Sequence, residues 1–194
     1  MNWLKCEQLL RKQGLRLFSP IELERILGVS SVATQFLLHR YTRQGALVKL
    51  RNGLYCLADS LPSDLAIANR LYEPSYISLE FALAYYHLIP EATYVITSAT
   101  SRPTRTLSAA SKTFEYHRIK QRAFTGYEPV RVEDEVVLMA IPEKAFVDYL
   151  YFVDLHKAAL NDRLSARTLR WNRVKSYAKL FERPSLEKRL EMFQ

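Results

Sequence analysis

Apolar residues recur at intervals of three and four through the first part of the chain, and glycine interrupts this spacing at its ends. Such spacing is typical of amphipathic helices. It predicts three helices, at residues 2–13, 20–27 and 31–44. Ser19 and Glu22 form a capping box around Pro20, which fixes the start of the second helix. Gly28 and Gly45 can adopt the left-handed conformation that ends a helix, so they mark the ends of the second and third helices.

The next segment has the pattern of a short β-hairpin. Residues 47–50 and 54–57 are mainly apolar, and they flank the dipeptide Asn52-Gly53. This dipeptide favours a two-residue type I′ turn, in which both residues have positive φ. Helix, turn, helix and basic hairpin in this order predict a winged helix-turn-helix. In that fold the helix at 31–44 enters the major groove of DNA, and the hairpin follows the phosphates.

Beyond the hairpin the pattern changes to shorter helices and strands. A polar turn at residues 59–63 predicts a boundary between a DNA-binding domain at 1–60 and an α/β domain at 61–194. Helical spacing occurs at residues 63–72, 78–88, 143–153, 165–181 and after Pro184. Short runs typical of strands occur at residues 93–97, 112–117, 129–132 and 136–139. The predicted fold is therefore mixed α+β: a winged helix, a helix–sheet domain, and a basic helical tail from about residue 156.

Composition indicates a globular protein and limits its chemistry. Hydrophobic residues make up 48% and charged residues 25% of the 194-residue chain, which are ordinary values. No apolar stretch approaches the roughly 20 residues of a membrane-spanning helix, and no signal peptide is evident, so we expect a cytoplasmic protein without membrane partners. Cys6 and Cys56 are too few for a disulfide framework or a zinc site. The five glycines form no glycine-rich phosphate-binding loop.

Charge is distributed unevenly along the chain, whose formal net charge is +8. Residues 1–60 carry nine Lys or Arg and four Asp or Glu, and residues 156–194 carry ten and four. Residues 61–155, between these two segments, carry nine Lys or Arg and twelve Asp or Glu. Basic ends attract polyanions such as DNA. The acidic middle argues against a protein that is basic over its whole surface and binds polyanions nonspecifically.

The helix at 31–44 has an inward face with Thr34, Leu37, Leu38 and Tyr41. Its outward face predicts the DNA-contacting residues Ser31, Gln35, His39, Arg40 and Arg43. A glutamine amide can read adenine and an arginine can read guanine, each contributing about 1–3 kcal/mol of discrimination. Three wing residues are predicted to contact phosphates rather than bases: Lys49, Arg51 and Asn52. The alternative is a merely solvated polar face. Phe36 is exposed in this register.

A second basic group lies in the C-terminal half, and two interpretations of it are open. It comprises Arg102, Arg105, Lys112, Arg118, Lys120 and Arg122. In the first interpretation, these residues are solvated charges that keep the strand edges from aggregating. A surface that faces DNA, RNA, a toxin or the toxin's substrate is the second.

The acidic residues and histidines predict no catalytic or metal site. Glu133-Asp134-Glu135 is a run of consecutive acids, which point in different directions and more often decorate a turn. The four histidines are scattered without metal-binding spacing. Lys144 and Asp148 are one helical turn apart, so we expect an ion pair worth roughly a few tenths of a kcal/mol. The sequence thus predicts no metal, no cofactor and no enzyme activity.

Two segments of the second half carry a resemblance to a known family. Residues 76–90 (YISLEFALAYYHLIP) and 141–150 (IPEKAFVDYL) resemble the C-terminal domain of the AbiEi antitoxin family. The segments at 96–100 and 114–120, and the winged helix with its LRNGLY wing, follow the family's order. The resemblance covers roughly residues 15–155. His87 departs from it, because the family often has glycine there.

This resemblance implies the antitoxin of a type IV toxin–antitoxin system. Such a protein represses its own operon by binding operator DNA, and it opposes an AbiEii-like nucleotidyltransferase toxin, with direct contact between the two left open. One alternative is a solitary winged-helix transcription factor without a toxin. Another is a nucleic-acid-processing enzyme that uses the winged helix for targeting.

Overall fold

The computed structural model describes residues 3–193, and the chain divides into two compact units. The first unit ends at Leu71 and the second begins at Tyr72. This division follows a helix at residues 64–71, whereas the sequence places the boundary at residue 60. Both units combine helices with sheet, which confirms the predicted fold class.

The first unit, over its described residues 3–71, has the element order of a winged helix. In chain order the elements are α1 (Trp3–Lys12), β1 (Leu17–Phe18), α2 (Pro20–Leu27), α3 (Ser31–Arg43), β2 (Leu47–Arg51), β3 (Leu54–Leu57) and α4 (Asp64–Leu71). Strand β3 lies between β1 and β2 and is antiparallel to both. The sequence pattern missed β1, whose two residues give the predicted hairpin a further strand.

Capping residues fix the starts of α2 and α3 where the sequence predicts them. The Ser19 amide donates to Glu22 Oε2 at 2.6 Å, and the Glu22 amide donates to Ser19 Oγ at 3.3 Å, which completes the capping box. The Ser30 hydroxyl accepts from the Ala33 amide and caps α3 in the same way. Gly28 ends α2 in the left-handed conformation, with φ of 61°.

The capping carboxylate of Glu22 also connects α2 to α4. Arg70 Nη2 donates to both Glu22 oxygens, at 2.9 and 2.8 Å. Burial raises the pKa of Glu22, but the hydrogen bonds from Ser19 and the charge of Arg70 outweigh this effect and hold it below its ordinary value. The helix beyond residue 60 is thus tied to the winged helix by a charged contact.

The core of the first unit lies between its helices and its sheet. It consists of Cys6, Leu10, Phe18, Leu23, Leu27, Leu38, Tyr41, Leu47, Tyr55 and Leu57. The spacing in the first helix predicts one inward face with Trp3, Leu4, Leu9 and Leu10, which is partly wrong because Leu4 is 59% exposed and Cys6 is buried instead. Cys6 and Leu10 are four residues apart, so they share the face of α1 that meets the core.

The second unit, over its described residues 72–193, is built on a mixed sheet. In chain order the elements are β4 (Ser75–Ile77), α5 (Leu79–Tyr85), β5 (Ile96–Thr100), β6 (Arg105–Ala109), β7 (Lys112–Arg118), β8 (Tyr127–Val132), β9 (Glu135–Ala140), α6 (Pro142–Asp154), α7 (Trp171–Lys179) and α8 (Pro184–Leu190). The strand order is β6-β7-β5-β4-β9-β8. Pairs β5–β7 and β4–β9 are parallel, and the other neighbours are antiparallel.

Helix α6 lies at the centre of this unit and packs against α5, α7 and α8. Its residues from Glu143 to Leu150 are all buried. In the C-terminal tail, Val174, Ala178 and Phe181 are likewise buried, which agrees with the helical spacing of their apolar side chains. Helix α7 is shorter than the predicted helix at 165–181, because it begins only at Trp171.

The ion pair between Lys144 and Asp148 in α6 is buried inside the second unit. The side chains of Lys144 and Asp148 are both 0% exposed. Asp148 Oδ2 also accepts hydrogen bonds from the Tyr76 hydroxyl at 2.9 Å and the Ser78 hydroxyl at 2.8 Å. Burial lowers the pKa of Lys144 and raises that of Asp148, and the attraction between the two charges partly offsets each shift. The predicted pairing is present, but the pair is fully buried, which the helical spacing alone does not indicate.

Helix α5 ends earlier than the sequence predicts. It stops at Tyr85, and His87 follows in the left-handed conformation with φ of 56°. This conformation favours glycine, the residue that the AbiEi resemblance places at this position. His87 is exposed, so its side chain takes up the conformation without a packing conflict.

Candidate DNA-binding surface

Helix α3 presents one buried and one exposed face, in the register that the sequence predicts. Thr34, Leu38 and Tyr41 are at most 4% exposed. The exposed residues include all five predicted DNA contacts: Ser31, Gln35, His39, Arg40 and Arg43. Their side chains are therefore available to a ligand, and contact with DNA stays a prediction.

Two large apolar side chains accompany these polar residues on the exposed face. Phe36 is 73% exposed and Val32 is 66% exposed. They are four residues apart and therefore adjacent on the helix surface. The helical spacing predicts an exposed Phe36, and the same spacing also places Val32 on this face. Apolar groups in the major groove can contact thymine methyl groups.

The wing is a hairpin with an irregularity near its tip. Val48 pairs with Cys56 and Lys49 with Tyr55, and the register then shifts before Arg51 pairs with Leu54. Such an irregularity changes the alternation of the strand, since Leu47 and Leu50 are both buried although they are three residues apart. The three predicted phosphate contacts, Lys49, Arg51 and Asn52, are all exposed.

The turn at the wing tip differs from the predicted type. Gly53 has φ of 78°, whereas Asn52 does not have a positive φ. A type I′ turn needs positive φ at both positions, so that prediction is wrong. The guanidinium of Arg51 donates to the Asn52 carbonyl at 2.8 Å, which holds its side chain beside the turn.

The basic residues of the second unit do not form one surface. Arg102 and Arg105 both lie over the Tyr72 ring, at 4.6 and 5.9 Å from its centre. Arg105 pairs with Tyr116 in the sheet, so Arg118 lies two residues farther along the neighbouring strand and on the same face. Lys112 is at the opposite end of β7. We call Arg102, Arg105 and Arg118 the basic cluster.

The remaining two residues of the predicted basic group, Lys120 and Arg122, contact the C-terminal part of the chain. Lys120 is half-buried, and its ammonium donates to the Phe181 carbonyl. Arg122 is exposed and pairs with Glu182. Their contacts hold the segment after β7 against the C-terminal part of the chain, so a structural role accounts for both.

The acidic run and the histidines remain apart in the structure. Glu133 and Asp134 form the turn between β8 and β9. Over residues 3–193, no group of three or more His, Cys, Asp or Glu side chains is arranged to hold a metal ion. Among these residues, too, no helix combines the length and apolar character needed to cross a membrane.

Both cysteines are buried in the first unit and form no disulfide. Cys6 is 1% exposed and Cys56 is 0% exposed. Burial raises the pKa of each thiol to about 11, and the neighbouring charge of Glu7 adds to the shift at Cys6. These thiols act as small core side chains.

The first unit thus combines a winged-helix element order with a polar and basic α3 face and an exposed basic hairpin. Residues 7–58 match the family described as "Transcriptional regulator, AbiEi antitoxin". Over these residues the chain is similar to the AbiEi antitoxin family, which agrees with the resemblance seen in the sequence. The description names a transcriptional regulator. A comparison with curated proteins gives no match.

The family match covers most of the winged helix and ends just after β3. The resemblance of residues 76–90 and 141–150 to the AbiEi C-terminal domain lies outside the matched residues. The role of the second unit therefore stays a prediction.

Proposed function

We propose that the first unit binds operator DNA and represses the operon that contains its own gene. The observation that carries this proposal is the exposed face of α3, where Gln35, Arg40 and Arg43 accompany a basic wing. Residues 1–71 carry ten Lys or Arg and five Asp or Glu, so the unit attracts the phosphate backbone. Its match to a regulator family supports the same function.

The test of this proposal is binding to the DNA upstream of the protein's own gene. Binding should weaken steeply as salt rises, because each neutralised phosphate contributes about 0.9 to the slope of log K against log salt. Fluorescence anisotropy over a series of salt concentrations measures that slope, and footprinting locates the operator. A complex that is insensitive to salt, or no complex with the upstream DNA, would overturn the proposal.

Base reading and phosphate contact should separate in a pair of substitutions. Gln35→Ala or Arg40→Ala should weaken binding to the operator by about 1–3 kcal/mol and binding to random DNA much less. Arg51→Ala should weaken both alike and reduce the salt slope by about one phosphate contact. Competition titrations with operator and random duplexes of equal length measure both effects.

Arg25 offers a matched control for these substitutions, since it lies in α2 of the same unit, outside the predicted recognition helix and wing. Arg25→Ala should change the specificity ratio little. If Gln35→Ala and Arg40→Ala lose operator and random DNA equally, the assignment of the reading face to α3 is incorrect.

For the second unit we propose the antitoxin activity, directed against a nucleotidyltransferase-type toxin. The support is the resemblance of residues 76–90 and 141–150 to the AbiEi C-terminal domain. The basic cluster is the proposed protective surface, because Arg105 and Arg118 are exposed and share one face of the sheet. Either the toxin or a nucleic acid that the toxin uses fits this charge.

The two activities should separate at the division between the units. A fragment of residues 72–194 should protect cells that express the toxin encoded beside it, but should not repress the operon. A fragment of residues 1–71 should bind the operator weakly and give no protection. Circular dichroism establishes that each fragment is folded. Growth rescue and a promoter–reporter fusion then measure the two activities.

Charge reversal tests the basic cluster within the full chain. Arg105→Glu with Arg118→Glu should abolish protection and leave folding intact, because surface substitutions usually change stability by about 0.5 kcal/mol or less. Lys112→Glu is the matched control, since Lys112 is also an exposed strand residue but lies at the far end of β7. Full protection by the folded double variant would contradict this proposal and favour the interpretation of these arginines as solvated charges at strand edges.

A further inference from the structure

A cleft of about 700 Å³ opens in the second unit. The start of α5, strands β5 and β7, helix α6 and the segment 157–161 surround it. Its volume lies within the range of pockets that hold small organic molecules. Leu79, Phe152 and Leu160 make its walls largely apolar, and Tyr94, which is 88% exposed, stands at its mouth.

The cleft also contains a carboxylate without an ion-pair partner among the described residues. Glu80, Glu115 and His117 all line it, and the charges of Glu115 and His117 act on the Glu80 carboxylate. Glu115 Oε2 is 3.3 Å from His117 Nε2, whereas Glu80 forms no ion pair with another described residue. Lys157 also lines the cleft, but it is exposed and forms no ion pair with Glu80.

The ionisation of Glu80 reflects this environment. Burial raises its pKa, and the charge of Glu115 raises it further, while a hydrogen bond with its own backbone and the charge of His117 offset part of the shift. The charged form is therefore held in the cleft at a cost in free energy. A cation placed beside the carboxylate would offset that cost.

Hydrogen bonds hold the walls of the cleft in place. The Thr97 hydroxyl accepts from the Phe81 amide at 3.1 Å and donates to the Ser78 carbonyl at 2.7 Å, which fixes the start of α5 against β5. The Tyr149 hydroxyl donates to the Ala159 carbonyl and accepts from the Asn161 amide. Both the helix that carries Glu80 and the outer wall are thus anchored before any ligand arrives, which lowers the entropy cost of binding.

We propose that this cleft binds a small organic cation, with an amidinium, guanidinium or ammonium group on a flat apolar body. Glu80 receives the cationic group, because a planar cation can give a carboxylate two parallel hydrogen bonds. The aromatic faces of Phe152 and Tyr94 receive the apolar body and add cation–π attraction. The negative charge of Glu80 disfavours anions. This site is independent of the proposed operator binding.

Three probes of the same shape and different charge test the proposal on the full chain. Benzamidine is cationic, benzamide is neutral and benzoate is anionic. Isothermal titration calorimetry should show saturable binding of benzamidine, and binding of benzamide and benzoate that is at least about tenfold weaker, since hydrogen bonds between charged groups contribute about 1.5–3 kcal/mol. Equal binding of benzamidine and benzamide, or no binding of benzamidine, would overturn the proposal.

Substitution assigns the binding to the carboxylate. Glu80→Gln should weaken benzamidine binding about tenfold or more, whereas Glu128→Gln, the same change at an exposed residue of β8, should leave it unchanged. If Glu80→Gln does not fold, amide chemical shifts of the natural protein decide instead. Shifts centred on Thr97, His117 and Asn161 support the cleft, and shifts elsewhere reject it.

Discussion

Replacing Asp148 by asparagine should lower the free energy of unfolding of the second unit by about 3–5 kcal/mol. The substitution leaves the Lys144 ammonium fully buried without its counterion, and the asparagine cannot replace the charge that Tyr76 and Ser78 also bond. Denaturation in urea measures the change. In a Trp3→Phe background, Trp171 is the one remaining tryptophan, so its fluorescence reports on the second unit alone.

Two comparisons isolate burial as the cause. Glu182→Gln breaks the exposed pair with Arg122, and it should cost at most about 1 kcal/mol. Lys144→Met combined with Asp148→Leu removes both charges and should cost less than Asp148→Asn alone. A loss at Asp148→Asn no larger than at Glu182→Gln would show that the pair is accessible to water.

Replacing Gly126 by alanine should destabilise the second unit by about 2–5 kcal/mol, for two separate reasons. Gly126 has φ of 78°, a left-handed conformation that strains a residue with a Cβ atom. An added Cβ would also lie 2.6 Å from Cε1 of Tyr177 and 3.0 Å from Cγ of Lys144. The same urea experiment measures the loss.

Gly53 provides a matched control for the backbone effect alone. It has the same φ of 78°, but an added Cβ meets nothing within 4 Å. Gly53→Ala should therefore cost only about 1–2 kcal/mol, followed through Trp3 in a Trp171→Phe background. In a Tyr177→Ala background the cost of Gly126→Ala should fall to that level. An unchanged cost would mean that the ring is not the obstacle.

The sequence predicted the winged helix well because its signals are local. The capping box at Ser19 and the left-handed glycines at 28 and 45 act within one turn of the chain, so they define helix ends without tertiary information. Strands β1 and β4 have only two and three residues, and they pair with strands distant in the chain. Their sequences carry too little alternation to identify them.

The candidate sites, too, could be predicted only where the signal is local in the sequence. The exposed face of α3 follows from helical spacing, so its residues could be chosen before the structure was known. The spacing of Lys144 and Asp148 revealed their pairing but not their burial, which depends on α7 and α8 packing over α6. The cleft could not be predicted, since Glu80, Glu115 and Tyr149 come from three elements far apart in the chain.

The buried thiols have a practical consequence for labelling chemistry. Cys6 and Cys56 are nearly inaccessible and have pKa values of about 11, so the reactive thiolate is scarce at neutral pH. A maleimide dye should leave both unmodified and react with a cysteine introduced at the surface, such as Asn52→Cys at the wing tip. The folded protein therefore accepts a single fluorophore at a chosen position without prior removal of its natural cysteines.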